Sequence, residues 1–322
     1  MNHCHVFNFS DVKTPLERFF VPIGPCVGLD DEIWTLKMNT DNKNVPIVML
    51  HGFAAGVAFW LMNLDEISRN RPLYAVDLLG FARSSRPTFS KDATVIEEQF
   101  VDFIERWREV MQISKMILLG HSFGGFISSA YALKYPERID HLILVDPWGF
   151  TEKPDLTNVS LWRRSLLRVF RNMKPLAVVR FAGPYGEWLI RKARVDILRK
   201  YENALEDQTV IAQYIHQCNS NRKSTGEEAF SNLLEGGPWA KHPIGERLKE
   251  GLQDDIPLTF LYGAKSWMDN KYGEIIKEAR IGNYTNIENV EFAGHHVYSD
   301  NALDFNRFVN EACLVLKSEM IK

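Results

Sequence analysis

No apolar run in the 322 residues approaches the length a membrane-spanning helix needs, which is roughly 20 residues. The chain starts Met1-Asn2-His3-Cys4-His5-Val6, without the basic start or the apolar stretch of a secretory signal, so no such signal is expected. Cysteine is scarce and scattered: Cys4, Cys26, Cys218 and Cys313 form no C-x-x-C pair. That argues against a zinc site or a disulfide framework and suits a reducing compartment. Neither sign of charge dominates, with a formal total of −3, so the total suggests no nucleic-acid binder. Internal repeats and low-complexity segments are also absent, which excludes repeat architectures. The expectation is a cytoplasmic chain, soluble or peripheral on a membrane, with neither metal nor cofactor required.

What is present is an ordinary globular composition, 45% hydrophobic and 25% charged. Short apolar runs read as strands: Ile33 to Met38, Pro46 to Leu50, Leu73 to Val76, Met116 to Leu119, Leu142 to Val145, Leu258 to Tyr262 and Val290 to Ala293. Their continuous apolar character suits strands buried on both faces of a parallel sheet. Helical patterns alternate with them, notably Val95 to Met111, Phe126 to Tyr135 and Ala302 to Lys317. Strand-helix alternation predicts an α/β fold with ligands at the carboxyl ends of the strands. The alternation stops after Pro147-Trp148-Gly149-Phe150 and resumes at Pro257, leaving a helical excursion that reads as a cap. The predicted organisation is an extension over 1–30, a core over 31–150, a cap over 151–249 and the rest of the core over 250–322.

The most informative string is Gly120-His121-Ser122-Phe123-Gly124, placed between a strand and a helix. Such a turn lifts a serine hydroxyl out at the carboxyl edge of a parallel sheet, and glycines flank it because the turn is crowded. A serine hydroxyl is a weak nucleophile until a base takes its proton, and the base needs a third group to orient it. In α/β-hydrolases the order along the chain is serine, acid, histidine. His295, directly after the glycine that ends the last strand, is the expected base, with His296 as its rival. The acid is expected after the penultimate strand, where Asp269 lies six residues past Gly263. Asp146, at the end of the preceding strand, competes with it; Asp254 and Asp255 read as a solvated loop. Acyl transfer also needs donors for an oxyanion. The backbone N–H of Phe123 is one, and that of Phe53, in His51-Gly52-Phe53-Ala54-Ala55-Gly56, is the other. The segment Asp77 to Ser85 is expected to support that loop. Together these segments predict an α/β-hydrolase fold: a mostly parallel central sheet, helices on both faces and an inserted helical cap.

Residues 161–200 carry eleven Lys or Arg against Glu187 and Asp196, a strong local excess in a chain that is −3 overall. Trp162, Leu166 and Phe170 fall on one helical face there, with Arg163, Arg164, Arg168 and Arg171 on the other. Two readings stand equally: an interfacial helix with cations toward anionic headgroups, or a cap helix with a solvated basic face. Nucleic-acid binding is not expected, since no recognised module accompanies the patch.

Several strings resemble the abhydrolase domain-containing protein 4 and 5 family. They are Asp77-Leu78-Leu79-Gly80-Phe81, Met116 to His121, Leu142 to Phe150, Pro175-Leu176-Ala177, Ala182-Gly183-Pro184 and His295 to Asp300, and the likeness runs from about Ile33 to the C-terminus. The resemblance implies lipid metabolism. One branch hydrolyses lysophospholipids and N-acyl phospholipids, so a lipid acyl ester or amide is the implied substrate. The other contains a lipid-droplet co-activator of a triglyceride lipase, with which lysophosphatidic acid acyltransferase activity is associated. That activity is linked to an H-x4-D motif matched by His295 and Asp300, although Asp300 serves equally well as a cap for the helix from Ala302. The vertebrate co-activator branch has asparagine at the elbow, where this chain keeps Ser122, which favours hydrolase chemistry. That branch also attaches to droplets through a tryptophan-rich N-terminal segment. The first thirty residues here hold Phe7, Phe9, Phe19 and Phe20 but no Trp. The implied partners are therefore a lipid substrate, a membrane or droplet surface and, for the co-activator reading, a triglyceride lipase.

Overall fold

Runs such as Leu73-Tyr74-Ala75-Val76 and Ile47-Val48-Met49-Leu50 are too short for a helix and apolar on both sides, so they are stable only as buried strands. In the computed structural model they lie at the centre of one eight-stranded sheet. The structure describes residue 9 and residues 12–154, 176–202, 204–207 and 209–317. The strands are β1 (Leu16–Gly24), β2 (Asp31–Met38), β3 (Ile47–Leu50), β4 (Leu73–Val76), β5 (Met116–His121), β6 (Ile139–Val145), β7 (Leu258–Gly263) and β8 (Thr285–Val290). Their spatial order is β1-β2-β4-β3-β5-β6-β7-β8. The β1–β2 and β2–β4 pairs are antiparallel; every pairing from β4 through β3, β5, β6 and β7 to β8 is parallel. The carboxyl ends of six strands therefore share one edge, with β5 in the middle.

Alternate residues of each strand supply the two cores. Val48, Leu50, Val76, Met116, Leu118, Leu142 and Leu144 face a layer containing α2 (Ala93–Val110) and α3 (Phe123–Lys134). Ile47, Met49, Leu73, Ala75, Ile117, Leu119, Ile143 and Val145 face α1 (Leu64–Ser68) and the last long helix. Each such side chain, taken wholly out of water, contributes roughly 1.5–3 kcal/mol before entropy is counted. Helix α2 is capped by Asp92, whose carboxylate accepts from Thr94 and Val95 N–H.

Two strands depart from the sequence expectation. β1 lies within the 1–30 stretch expected to be an extension, and the last strand runs 285–290 rather than 290–293. Both are edge strands, and their mixed or half-buried residues carry neither a continuous apolar run nor clean alternation.

Between β6 and β7 the described residues form α4 (Ala177–Phe181), α5 (Gly186–Ala193), α6 (Val195–Lys200), α7 (Thr209–Asn219), α8 (Thr225–Leu233) and α9 (Ile244–Gly251). Helix α9 packs on α3, while α5, α6 and α7 pack on one another above the carboxyl edge. This cap is tied down by polar contacts. The Arg86 guanidinium donates to Gly80 and Ala82 carbonyls in the core and to Cys218 and Lys223 carbonyls in the cap. Trp162, Leu166, Phe170, Arg163, Arg164, Arg168 and Arg171, read as one face-divided helix, lie outside the described residues. After β7 come α10 (Lys271–Ala279), then β8, α11 (Val297–Asp300) and α12 (Ala302–Ala312). Among the described residues no helix is long and apolar enough to cross a membrane.

Candidate active site

Ser122 stands between β5 and α3 with φ +52° and ψ −115°, a backbone region that side-chain-bearing residues rarely occupy. Crowding enforces the turn: a Cβ at Gly124 would lie 2.5 Å from the Leu50 carbonyl oxygen, and one at Gly120 would collide with Gly124. The strained residue is held from all sides. Its N–H donates to the Val145 carbonyl, and its own carbonyl accepts from Gly125, Phe126 and Trp148 N–H. The hydroxyl is left facing the carboxyl edge, with the residue 8% exposed.

His295 reaches Ser122 from the loop between β8 and α11. Its Nε2 lies 3.0 Å from Ser122 Oγ, and its Nδ1 lies 2.6 Å from Asp146 Oδ2. With Nδ1–H donating to the carboxylate, Nε2 is left as an acceptor facing the Ser122 hydroxyl. Asp146 follows β6, is fully buried and has φ +44°. Its carboxylate accepts from Gly263 N–H at 3.2 Å and from the Ser266 hydroxyl.

The acid expected at Asp269 is corrected by this geometry. Asp269 is exposed, and its carboxylate accepts from Lys271 N–H at the start of α10. The turn after β7 brings no carboxylate to the histidine; it brings the Ser266 hydroxyl to Asp146, which it supports. Asp146 wins because its left-handed backbone throws the carboxylate across the end of β7 toward His295 Nδ1. His296 does not take the base position either: its Nδ1 lies 3.4 Å from Lys200 Nζ, and its ring stacks on Phe59. Burial, with Lys200 and His295 adding to it, holds its pKa well below the usual range.

Residues outside the serine, base and acid complete the histidine loop, Asp300 of the H-x4-D string among them. His121 Nε2–H donates to the His295 carbonyl at 2.8 Å, and burial together with the neighbouring histidines keeps His121 neutral. Asp300 Oδ2 accepts from Gly294 N–H at 2.9 Å. A Cβ at Gly263 would collide with the Gly294 carbonyl, so β7 and this loop pack backbone to backbone. Trp267, 64% exposed, sits with its ring 5.2 Å from that of His295. Neither His121 nor Trp267 advertises itself in a local motif; His121 is merely the variable position of G-x-S-x-G.

The loop after β3 lies against the elbow, for a Cβ at Gly52 would stand 3.1 Å from Ser122 Cβ. His51 fixes its path: Nδ1–H donates to the Gly52 carbonyl, and Nε2 accepts from Leu78 N–H. Burial lowers the His51 pKa to about 4, so this neutral tautomer persists. Asp77 supports the same loop by accepting from Val57 N–H at 2.8 Å and Arg83 N–H at 3.1 Å. Burial raises its pKa to about 6. Phe53 and Phe123 thus follow Gly52 and Ser122 on the two segments that meet here. Their rings and Trp148 pack around Phe230 of α8, with centroid separations of 4.4 to 4.9 Å. Cap and core together make an aromatic wall beside the serine. Among the described residues no group of three or more His, Cys, Asp or Glu side chains is placed to hold a metal ion.

Comparison with known proteins agrees with this architecture. The sequence profile described as the alpha/beta hydrolase fold matches residues 45–302. The chain is 44% identical over 288 residues to the (Lyso)-N-acylphosphatidylethanolamine lipase of Mus musculus, covering 88% of this chain and 83% of that one. It is 45% identical over 289 residues to the 1-acylglycerol-3-phosphate O-acyltransferase ABHD5 of Homo sapiens, covering 88% and 82%. Solved structures share the fold at low identity. A membrane phospholipase A gives a TM-score of 0.65 at 19% identity over 92% of this chain and 85% of that one. The carboxylesterase CesB of Bacillus subtilis gives 0.64 at 15% over 94% and 93%. The chain belongs to the α/β hydrolase fold family and, within it, to the group of abhydrolase domain-containing proteins 4 and 5.

Proposed function

We propose that this chain is a serine hydrolase that cleaves the acyl ester or amide of a lysophospholipid or N-acyl phospholipid. The observation that carries the reading is the continuous chain Ser122 Oγ, His295, Asp146, at 3.0 and 2.6 Å. Ser122 Oγ attacks the acyl carbonyl while its proton passes to His295 Nε2. The oxyanion that forms accepts from Phe53 and Phe123 N–H, which face developing charge rather than ground-state charge. His295 then gives its proton to the departing oxygen or nitrogen, and the acyl group remains on Ser122. Water, deprotonated by the same Nε2, attacks the acyl-enzyme, releases the fatty acid and restores the serine. Asp146 keeps Nδ1–H in place and stabilises the imidazolium in each half-reaction. The half-buried rings of Phe53 and Phe230, backed by the buried Phe123 and Trp148, offer an acyl chain apolar contact. The substrate class comes from the lipase relatives, and a substrate of that kind brings the protein to a membrane or droplet surface.

A second reading is favoured by relatives of equal identity named as an acyltransferase. There lysophosphatidic acid replaces water as acceptor, or the chain co-activates a triglyceride lipase without using Ser122. The test is release of fatty acid from N-acyl phosphatidylethanolamine and lysophosphatidylethanolamine by purified protein, with Ser122→Ala beside it. Hydrolysis that disappears in Ser122→Ala supports the proposal. Hydrolysis that survives the substitution, or is absent from the parent while acyl transfer or co-activation proceeds, overturns it.

A further inference from the structure

Two acidic oxygens and one ammonium converge on the loop that carries His295, and the ammonium comes from the cap. Asp300 Oδ2 accepts from Gly294 N–H, on the residue before His295. Its Oδ1 lies 2.8 Å from Nζ of Lys200, the last residue of α6. The same Nζ approaches Nδ1 of His296, on the residue after His295. Lys200 thus touches one neighbour of His295 directly and the other through Asp300. We propose that the Lys200–Asp300 pair is a latch through which seating of the cap sets the position of His295, making both residues positioning residues for hydrolysis.

The roles otherwise assigned to Asp300 do not account for these contacts. Helix α12 is capped by Asn301, whose side chain accepts from Asp304 N–H, so the Asp300 carboxylate is not the cap. Nor does the H-x4-D spacing bring it to the His295 ring, whose Nδ1 is taken by Asp146 and whose Nε2 faces Ser122. Asp300 closes the loop on its backbone instead. Its partner is well placed to matter: the side chains of Lys200 and Asp300 are 17% and 14% exposed, far from the regime in which solvent screens an ion pair to nothing. Removing either partner leaves the other charge mostly buried and without its counter-charge.

The cap is also anchored on the segment after β3. Tyr201, which follows Lys200 and is fully buried, donates its hydroxyl to the Phe59 carbonyl at 2.7 Å. Tyr214 accepts from Ala58 N–H, and Asn219 donates to the Ala54 carbonyl. Those three ties hold the segment that continues the loop bearing Phe53. The cap therefore grips the oxyanion side through neutral hydrogen bonds and the base side through one ion pair. A reacting geometry displaced by about 1 Å lowers turnover by as much as 100-fold, so a loosened latch is expressed in kcat before binding is affected.

The inference rests on the Ser122–His295–Asp146 reading, and its test separates the two. Lys200→Met, Lys200→Arg, Asp300→Asn and the Lys200→Met/Asp300→Asn double variant are compared with the parent using p-nitrophenyl butyrate, whose short acyl group makes little use of the cap. Amide hydrogen exchange across residues 292–297 is followed in parallel. The expected result for Lys200→Met is a kcat about 10-fold lower with KM within about twofold, and kcat recovered within about threefold by Lys200→Arg. The double variant is expected to be no worse than the worse single, because both break one contact. Exchange at Gly294 to His296 should quicken in Lys200→Met while β5 keeps parental rates. Parental kcat and parental exchange in Lys200→Met, or single losses that multiply in the double variant, overturn the latch. A parent without esterase activity would sink the hydrolase reading alone, and the exchange comparison would still decide the latch.

Discussion

The elbow that carries Ser122 and the loop that carries His295 sit on either side of one hydrogen bond, yet they are built with different emphasis. Ser122 is fixed by sterics: backbone packed on backbone at Gly124, β5 buried end to end, and hydrogen bonds to the adjoining strand and helix. The His295 loop shares one backbone contact of that kind, Gly294 against Gly263, and otherwise depends on polar contacts: Asp146 and His121 from distant parts of the chain, Asp300 nearby and, through Asp300, Lys200 of the cap. A sterically built turn has one solution and resists gradual change. A loop held by separate hydrogen bonds loosens by degrees, and so it is the half of the site on which the proposed latch acts.

The strongest way to break this comparison is at the acid. Asp146→Asn keeps the shape but removes the charge and favours the wrong histidine tautomer, with an expected loss of about 10⁴-fold in kcat. Asp269→Asn should stay within about twofold of the parent, since that exposed carboxylate accepts from Lys271 N–H at the start of α10, away from His295. Steady-state hydrolysis of a soluble ester by the two variants checks the pair, and equal losses would remove Asp146 from its role. The elbow is broken next, at Gly124→Ala. A methyl group 2.5 Å from the Leu50 carbonyl has no room, and the expected destabilisation, about 4 kcal/mol or more, is read from the urea midpoint.

A smaller effect is expected at His121. His121→Leu leaves the His295 carbonyl without its donor, and kcat should fall roughly 10-fold to 100-fold with the fold intact by circular dichroism. A fall in stability with unchanged kcat would make His121 a core residue rather than a support of the loop.

The smallest effect concerns pH. His51 and His141 are buried neutral, each lowered to about 4 from an ordinary 6.5. Between those values the unfolded chain binds protons that the folded chain refuses, so their stabilisation is complete above 6.5 and is lost as pH falls toward 4. From pH 6.5 to 5 each contributes a loss of roughly 2 kcal/mol. Asp77, raised to about 6 from 3.8, acts in the opposite sense between those two values and offsets part of it. The net expectation is a urea midpoint that drops from pH 7 to 5. His141 bridges the Val315 carbonyl and the Thr259 hydroxyl away from the serine, so His141→Gln should flatten that slope without altering catalysis. An unchanged slope would mean that this histidine charges freely in the folded state.

The same contrast explains how much was legible in the sequence. The elbow is written locally, as glycine, serine and glycine between an apolar strand and a helix, and so are the loop after β3 and the position of His295 behind Gly294. The acid was not legible, because Asp146 and Asp269 both follow strands and differ only in how the backbone turns after them. A positive φ at Asp146 and the backbone contact of Gly263 with Gly294 decide it, and neither leaves a mark in composition. His121 and Lys200 were missed because they act through contacts 174 and 100 residues away along the chain. The edge strands β1 and β8 escaped notice because one or both of their faces stay partly wet. The sheet, the cap and their order along the chain were readable from periodicity, since burial on both faces demands continuous apolar runs.

The central claim is that Ser122 is activated by His295 and that Asp146, not Asp269, orients that base. The rate of covalent labelling by a fluorophosphonate probe tests it most directly. The account predicts labelling of the parent at Ser122, none in Ser122→Ala, a parental rate in Asp269→Asn and a rate at least about 100-fold slower in Asp146→Asn. A parent that does not label, or an Asp146→Asn protein that labels as fast as the parent, would contradict it.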